Sequence, residues 1–509
     1  MNRSAIDPTG PRGHVPTPEV VVDRMMARVF RTHKPESTDR ILDVGCGGGA
    51  FIRGILRYCR RRGYETPQIV GVELDLGLAE VARAEFAREA AVTIVQGDLL
   101  FTELGHFDFV VGNPPYVPIT QLSEAERRRF RARFSTAVER FDLYILFFER
   151  SLQLLSSDGR LCLITPEKFE YVHTATALRT LLTRSTVESI EHLSENAFEG
   201  VLAYPAVTTI AAHPPRARHR TTIVHRDGTR GRVRLPRNGT SWAPSMLQLD
   251  AMETGFVLAD ICRRISCGIA TGADAIFVRE NSRVPDPVRI FAYPTISGRQ
   301  LGEQSGDSPE PTHAMLVPYD RSGRLLPPNA VHPLLDYVKG SEQGRSWAES
   351  RSGRKDWYRF HDNAPVEDIQ QPKILCKDIA PTPRFWIDRD GSIIPRHSVY
   401  YIIPDSKVDI GQLLAYLNSP HASEWLRANC QRAANGYYRL QSSALKQLPI
   451  PASLVPGDLA ARARAGHRTS KTSPRQRALS EYGNEAPVRR RDGDATPVSA
   501  AARLPKRAM

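Results

Sequence analysis

A chain of 509 residues with 41% hydrophobic and 25% charged residues has an ordinary globular composition, with room for roughly two or three domains. The formal net charge is +13, and residues 457–509 contribute +7 of it, because they hold 12 Lys and Arg against 5 Asp and Glu. The remainder is mildly basic. That charge suits a polyanionic partner if it is concentrated on one face, and a solvated basic surface explains it equally well.

The sequence argues against several classes of protein. Seven cysteines, an odd number without CxxC spacing, disfavour a disulfide framework and a zinc ribbon. The histidines show no HxxxH spacing, so we expect no metal site. There is no apolar run of about 18 residues and no signal-like apolar segment over 1–13, so we expect a cytoplasmic protein without a membrane span.

Strands and helices alternate in the first two hundred residues. A helical pattern begins at Pro18, and the later elements follow in chain order: strands over 40–44, 68–73, 92–96, 107–111 and 159–164, with helices over 51–62, 78–89 and 142–155. Strands separated by helices form right-handed crossovers, so we expect a doubly wound, mostly parallel α/β sheet. Its ligands should lie at the carboxyl ends of the strands.

The alternation weakens after about Pro214, which suggests how the chain is divided. We expect the α/β domain over 13–214, a connection over 215–257, a mixed α+β domain over 258–452 and a basic tail over 453–509. The tail is rich in Ala, Arg, Ser and Pro and has few large apolar residues, a composition typical of disorder.

A glycine-rich turn, Asp43-Val44-Gly45-Cys46-Gly47-Gly48-Gly49, follows the first strand and opens a helix. Glycines let the backbone approach a ligand closely, and the helix N-terminus presents free N–H groups. A turn of this kind could serve a dinucleotide equally well.

Two carboxylates make the prediction of a ligand site at this turn more specific. Glu73 ends the second strand, where it can accept both ribose hydroxyls of a nucleoside, although it could also be a surface acid. Asp98 ends the third strand, where it could bind an adenine amino group or merely form a turn. We therefore expect a nucleoside cofactor bound by Asp43, Gly45, Gly47, Glu73 and Asp98.

The tetrapeptide Asn113-Pro114-Pro115-Tyr116 follows the fourth strand. Its prolines fix the backbone and remove two N–H donors, while their carbonyl oxygens remain as acceptors. The side chain of Asn113 adds another acceptor, and Tyr116 offers a face for stacking. A planar amino group could donate to both acceptors, so this segment predicts chemistry on the amino group of a base or an amide.

Together these motifs resemble Rossmann-like methyltransferases that modify planar amino nitrogens. The segment 13–21, which contains Thr17 and Pro18, resembles the additional motif before the cofactor turn of gamma-class, TaqI-like DNA adenine-N6 methyltransferases. Pro16 departs from that motif, which usually has a tyrosine or a similar residue there. The resemblance implies that Thr17 packs over the methionine end of S-adenosylmethionine, and that Asn113 also borders the cofactor.

The resemblance also implies the catalytic residues. Asn113 and the Pro114 carbonyl would accept hydrogen bonds from N6 of a flipped-out adenine, which Tyr116 and Phe198 would sandwich. Phe198 could equally be a core residue. No covalent intermediate is needed, so no role falls to Cys46 in the glycine turn.

Segments 295–301, 414–419 and 440–451 resemble parts of a target-recognition domain. The resemblance implies a site-specific methyltransferase for double-stranded DNA, the modification component of a restriction-modification system. We find no nuclease constellation in the chain, so a cognate restriction endonuclease would be a separate protein. Candidate DNA contacts, each of which could also be an ordinary surface residue, are Arg299, Arg384, Arg432 and Arg439.

Two other functions remain open at this point. The same Asn-Pro-Pro-Tyr pocket could methylate amino groups of RNA or of protein glutamine. A DNA-binding protein without activity could also use the fold as a scaffold.

Overall fold

The computed structural model describes residues 13, 15–195, 197–198, 204–247, 255–362 and 365–469. The first half of the chain forms a nine-stranded sheet with the strand order β3-β2-β1-β4-β5-β7-β6-β8-β9. Its strands are β1 (Arg40–Val44), β2 (Gln68–Glu73), β3 (Val92–Gln96), β4 (Phe107–Gly112), β5 (Leu155–Pro166), β6 (Thr186–His192), β7 (Pro205–Ala211), β8 (Thr221–Val224) and β9 (Arg230–Val233). Its helices are α1 (Glu19–Val29), α2 (Ala50–Arg62), α3 (Leu76–Glu85), α4 (Glu124–Arg133), α5 (Leu143–Leu154) and α6 (Thr176–Leu182).

This arrangement confirms the predicted Rossmann-like sheet. Strands β1 to β5 are parallel, and β7 lies antiparallel between β5 and β6. The first three strands have the predicted bounds. Strand β5 begins at Leu155 rather than at Gly159, because Leu155 pairs with Phe107 across a break in the register.

Strands β8 and β9 lie in the segment 215–257, which the sequence predicts to be a connection. Strand β8 runs parallel to β6, and β9 pairs antiparallel with β8, so the segment extends the sheet at its edge. Each of these strands has four residues. An alternation of apolar and polar residues over so short a run carries little signal in the sequence.

Helix α1 packs against α2 at close range. Its buried side chains lie on one face of the helix: Val21, Val22, Met25, Met26 and Val29. A Cβ at Gly54 of α2 would lie 2.3 Å from Cγ1 of Val22, so the close contact requires glycine there. This packing holds the segment 15–18, which enters α1, beside the sheet.

The second half of the chain is a mixed α+β region with three small sheets, of order β10-β18-β14-β16, β11-β13-β12-β17 and β15-β20-β19. The strands are β10 (Cys262–Cys267), β11 (Val278–Glu280), β12 (Ala292–Ile296), β13 (His313–Leu316), β14 (Lys373–Lys377), β15 (Ile379–Ala380), β16 (Phe385–Asp388), β17 (Ile394–Pro395), β18 (Val399–Pro404), β19 (Gln431–Arg432) and β20 (Tyr438–Arg439). The helices are α7 (Ala243–Met246), α8 (Asp274–Phe277), α9 (Gly298–Gly302), α10 (His332–Gly340), α11 (Glu342–Glu349), α12 (Val366–Ile369), α13 (Ile410–Leu417), α14 (Pro420–Asn429) and α15 (Ser442–Lys446).

The structure differs from the prediction at the start of the tail. Helix α16 (Gly457–Thr469) occupies the first part of the segment predicted to be disordered. Leu459 is buried, and this apolar contact explains why the helix forms. Residues 470–509 lie outside the described part of the chain. Among the residues that the structure describes, no helix has the length and apolar character needed to cross a membrane.

Candidate active site

Strands β1 and β4 are neighbours, and they mark the point at which the strand order reverses. The chain leaves β1 toward β2 and leaves β4 toward β5, so the two connections diverge at the carboxyl edge of the sheet. In doubly wound sheets, ligands bind in the crevice that such a divergence opens. The glycine turn follows β1 and the Asn-Pro-Pro-Tyr segment follows β4, so both predicted motifs border this crevice.

The glycine turn adopts a conformation that side chains would resist. Gly45, Gly47 and Gly49 all have positive φ, at 83°, 50° and 85°. A Cβ at Gly49 would also lie 2.3 Å from the ring of Phe86. The turn is anchored to the neighbouring strand, because the Gly45 and Cys46 N–H groups donate to the Val72 carbonyl at 3.0 and 2.9 Å.

Glu73 is held in a fixed orientation at the end of β2. Its Oε2 accepts from the Gly47 N–H at 2.8 Å, and its Oε1 accepts from the Asp75 N–H at 2.8 Å. A carboxylate oxygen has two acceptor sites, so each oxygen keeps one for a ligand. The carboxylate therefore organises the glycine turn and can still accept the paired hydroxyls of a ribose.

Asp43 lies directly beneath the turn and is fully buried. Burial, together with the nearby carboxylate of Glu73, raises the pKa of Asp43 well above its usual value. Neither of its oxygens accepts a hydrogen bond from any described residue. A buried carboxylate without a partner is costly, and a cationic ligand nearby would offset that cost.

Asp98 lies at the same edge, beyond the end of β3. Its Oδ1 accepts from the Leu100 N–H at 3.0 Å. This contact forms the turn that the sequence predicts as the alternative role of Asp98. Burial raises the pKa of this carboxyl as well. The turn-forming contact involves a single oxygen, so it is compatible with a ligand contact.

Asn113 is oriented by the segment that precedes α1. Its Nδ2 donates to the Val15 carbonyl at 2.9 Å and to Thr17 Oγ1 at 3.0 Å. Its Oδ1 is buried and accepts no hydrogen bond from any described residue. Both N–H donors are therefore used inside the protein, and the one group left for a substrate is an acceptor.

Two glycines that the sequence analysis did not single out hold this arrangement together. Gly112, at φ 149°, lets β4 approach β1 closely, since a Cβ there would lie 2.7 Å from Cγ2 of Val44. Gly13, at φ 76°, lies against the tetrapeptide, and its carbonyl accepts from the Tyr116 N–H at 3.2 Å. A glycine directly before a strand-end motif was the available signal for Gly112, and Gly13 begins the segment 13–21 that resembles the additional motif.

Tyr116 and Phe198 lie together, as expected, but they touch edge to face. Their ring centroids are 6.4 Å apart and the planes are inclined by 79°. Rings stacked on both faces of a base would be parallel and about 7 Å apart, at two van der Waals spacings. Phe198 is buried, so the structure also fits its alternative role as a core residue. Ala197 precedes Phe198, while the neighbouring Asn196 and Glu199 lie outside the described residues.

Tyr144 is a further buried group that sequence reasoning did not single out. It lies on α5 with its hydroxyl accepting or donating no hydrogen bond among the described residues. Burial raises the pKa of Tyr144 well above its usual value, with smaller contributions from Asp142 and Tyr171. In a sequence, a tyrosine within an apolar helical run indicates a core residue. The local pattern does not reveal that the Tyr144 hydroxyl is buried without a hydrogen bond to any described residue.

The four candidate DNA-contacting arginines separate into two groups. Arg384 donates to the carbonyls of residues 304–306, and Arg432 pairs with the buried carboxylate of Glu167. These two side chains are therefore engaged within the protein. Arg299 pairs with Glu303 but is highly exposed, and Arg439 is exposed, so both can still meet a ligand.

The site suits S-adenosylmethionine. It has a backbone turn that admits close approach, the carboxylate of Glu73 with acceptor sites left for a ligand, and a buried acid, Asp43, without a partner among the described residues. S-adenosylmethionine carries a sulfonium and an ammonium group, and a cation near Asp43 would favour the ionised form that burial disfavours. The arrangement is that of an S-adenosylmethionine-dependent methyltransferase with an appended second region.

Comparison with known proteins indicates which kind of methyltransferase this is. Residues 71–198 match the family described as Eco57I restriction-modification methylase, and residues 334–450 match the family described as TaqI-like C-terminal specificity domain. The chain is therefore a site-specific DNA methyltransferase of the restriction-modification type, with a TaqI-like specificity domain after its catalytic domain.

Full-length relatives agree with this assignment. The chain is 27% identical over 501 residues to the type II methyltransferase M.PaeR7I of Pseudomonas aeruginosa, covering 86% of each chain. It is 25% identical over 516 residues to the type II methyltransferase M.BstVI of Geobacillus stearothermophilus, covering 87% of this chain and 91% of the other. The structure of the type IIL restriction-modification enzyme MmeI in complex with DNA aligns with 92% of this chain and 68% of that chain, at a TM-score of 0.56 and 13% identity. At that identity the likeness concerns the fold alone.

Proposed function

We propose that the protein transfers the methyl group of S-adenosylmethionine to N6 of an adenine flipped out of double-stranded DNA. The observation that carries this proposal is Asn113, whose Oδ1 is a buried acceptor without a partner among the described residues, in the residue directly before Pro114. An exocyclic amino group has two N–H donors in one plane, and two acceptors side by side match it.

Within this proposal the cofactor is bound along the carboxyl edge of β1 to β3. Glu73 accepts the ribose hydroxyls, Asp98 accepts the adenine amino group, and the turn that contains Gly45 and Gly47 lies against the methionine portion. Asp43 offsets the positive charge of the cofactor from beneath the turn. The bound cofactor supplies an electrophilic methyl group, and the protein residues bind and orient the groups that react.

Asn113 and Pro114 act on the substrate nitrogen. The lone pair of an adenine amino group is delocalised into the ring, which makes N6 a weak nucleophile. Hydrogen bonds from N6 to Asn113 Oδ1 and to the Pro114 carbonyl favour a more tetrahedral nitrogen, whose lone pair is then available. Orientation and fixed dipoles supply most of the acceleration, because both acceptors are in place before the substrate arrives.

Tyr116 and Phe198 stack on the flipped base in this proposal. Flipping costs a few kcal/mol, which stacking between aromatic rings offsets in part. Because the rings meet edge to face in the structure, the Phe198 ring has to turn by tens of degrees to lie parallel to Tyr116.

The wider role that we propose is protection of one DNA site from a separate cognate restriction endonuclease. That role places the protein in the cytoplasm with the DNA that it modifies. The region after β9 would read the site through groove and phosphate contacts.

The test is a transfer assay with tritiated S-adenosylmethionine and three acceptors: double-stranded DNA, total RNA and ribosomal protein. We expect label in DNA, and N6-methyladenine after digestion to nucleosides. Asn113→Ala should lose nearly all transfer, whereas Asn238→Ala, at an exposed loop asparagine of the same domain, should retain it. Label confined to RNA or protein would contradict the proposal, and so would full activity of Asn113→Ala. Single-molecule sequencing of DNA from expressing cells would then identify the modified site.

A further inference from the structure

A buried cluster of charged side chains lies where β5 ends, next to the proposed base pocket. Its centre is Glu167, in a 3-10 turn (Glu167–Glu170) that directly follows β5. Oε2 of Glu167 pairs with Arg226, and Oε1 lies 3.3 Å from Nε of Arg432. The Glu167 side chain is only 4% exposed, so these contacts are shielded from solvent. Neither the cofactor site nor the tetrapeptide uses any of these groups.

The cluster extends to the end of β6. Oε2 of Glu170 lies 2.8 Å from Nε2 of His192, the last residue of that strand, and Oε2 of Glu167 lies 4.0 Å from the same nitrogen. Burial alone lowers the pKa of His192, but the two carboxylates outweigh it and raise the pKa overall. The His192 imidazole therefore ties the end of β6 to the turn after β5.

The segment between β6 and β7 carries Phe198, and we call it the Phe198 loop (residues 193–204; described at 193–195, 197, 198 and 204). His192 lies immediately before this loop. Tyr204 ends it, and its carbonyl accepts from the Glu167 N–H at 2.8 Å. The Leu193 N–H donates to the Pro205 carbonyl at 2.9 Å and closes the base of the loop. Both stems of the Phe198 loop are therefore attached to the Glu167 turn.

The same cluster reaches the second half of the chain. The hydroxyl of Tyr204 donates to the carbonyl of Ala433, and Arg432 pairs with Glu167. Both partners belong to the β19–β20 hairpin (residues 431–439), whose strand β20 also pairs with β15. The part of the second half that contacts Tyr204 and Glu167 thus belongs to a small sheet within the specificity domain.

We propose that Glu167 is a positioning residue for methyl transfer: it holds both stems of the Phe198 loop and ties them to the β19–β20 hairpin of the specificity domain. The domain that reads DNA thereby sets the place of the aromatic wall of the base pocket. The inference rests on the proposed function, since it assigns Phe198 to the bound base.

A double-mutant cycle tests whether Glu167 acts through Phe198. The variants are Glu167→Gln, Phe198→Ala and the pair of them, measured in single-turnover transfer to a duplex that carries the site found by sequencing. We expect Glu167→Gln to lower the rate about 10- to 100-fold, the effect of a small displacement near the reacting atoms, and to have little further effect once Phe198 is absent. Affinity for S-adenosylmethionine should stay unchanged. Glu191→Gln is the matched control, because Glu191 also lies near the end of β6 but pairs with Arg28 of α1 and not with the Glu167 turn.

Two results would overturn the inference. One is a wild-type rate in Glu167→Gln. The other is a double variant whose loss of rate equals the product of the losses in the two single variants. If Glu167→Gln does not fold, Arg432→Gln provides the same cycle, because Arg432 is partly exposed and Glu167 keeps Arg226. Multiplicative losses in that cycle would equally overturn it.

Hydrogen exchange in the free protein separates failure of this inference from failure of the proposed function. Glu167→Gln should raise exchange in peptides that cover residues 189–195 and 431–439, which hold the His192 and Arg432 partners of the carboxylate, whereas Glu191→Gln should leave residues 431–439 unchanged. This measurement needs neither DNA nor methyl transfer. Unchanged exchange in Glu167→Gln would overturn the proposed anchoring even in an active DNA methyltransferase.

Discussion

Substituting valine for Thr17 separates two roles that the site allows for this residue. The sequence predicts that Thr17 packs over the cofactor, whereas the structure shows its hydroxyl accepting from Asn113 Nδ2 at 3.0 Å. Valine keeps the shape of threonine and removes the hydroxyl. If the hydroxyl orients the amide, Thr17→Val should slow the reaction itself rather than weaken cofactor binding.

The size of the effect follows from the hydrogen bonds of the amide. A rotated amide would bring Asn113 Oδ1 to about the 2.9 Å that now separates Nδ2 from the Val15 carbonyl, and two acceptors would then face each other. The Val15 carbonyl, which can only accept, therefore excludes the rotated amide, and the Thr17 hydroxyl pairs the second N–H of the correctly oriented one. Leaving a buried donor unpaired costs about 1–3 kcal/mol. If that cost falls on the transition state, the rate falls roughly 5- to 150-fold.

The assay is single-turnover methyl transfer at saturating DNA and cofactor, with cofactor affinity measured separately by calorimetry. Thr17→Ser retains the hydroxyl and should stay within a few-fold of the wild-type rate. A wild-type rate in Thr17→Val would refute the reasoning, and so would equal impairment of the serine variant. A loss confined to cofactor affinity would return Thr17 to the role predicted from the sequence.

Three further outcomes follow from the described contacts. Glu73→Gln should weaken S-adenosylmethionine binding at least tenfold by calorimetry, because a neutral amide loses charge-assisted hydrogen bonds worth about 1.5–3 kcal/mol each; unchanged affinity would remove Glu73 from the cofactor site. Gly112→Ala should lower the free energy of unfolding by about 1–3 kcal/mol in urea titration, since its Cβ would lie 2.7 Å from Val44; wild-type stability would show that the strands separate at little cost. Asp388→Asn should destabilise the protein by about 3–5 kcal/mol, because Lys373 is fully buried with Nζ 2.5 Å from Oδ2 of Asp388; a loss below about 1 kcal/mol would indicate that water reaches the lysine.

The roles of Tyr116 and Phe198 show which features of the site residue patterns can predict. Asn-Pro-Pro-Tyr after a strand is a local signal, and the sequence located it because proline, asparagine and tyrosine each restrict what that position can do. The partner ring was predicted from a looser resemblance. The structure brings the two rings to 6.4 Å but leaves them inclined by 79°, which no linear pattern specifies.

The sequence determined the elements of the catalytic sheet and the chemistry at its edge. Short apolar runs that alternate with helical segments are local properties, so β1, β2 and β3 have their predicted bounds. Strands β8 and β9 and helix α16 were missed, because four-residue strands and a largely polar helix, of which Leu459 is buried, carry little periodicity.

Tertiary structure alone decided how these parts act on one another. The contact between Asn113 Nδ2 and the Val15 carbonyl joins residues 98 positions apart, and it decides which end of the amide faces the substrate. The pairing of Glu167 with Arg432 joins the catalytic and specificity domains, although each residue by itself reads as an ordinary surface charge. Hydrogen-bond direction and burial depend on neighbours that folding brings together, and a residue type records neither of them.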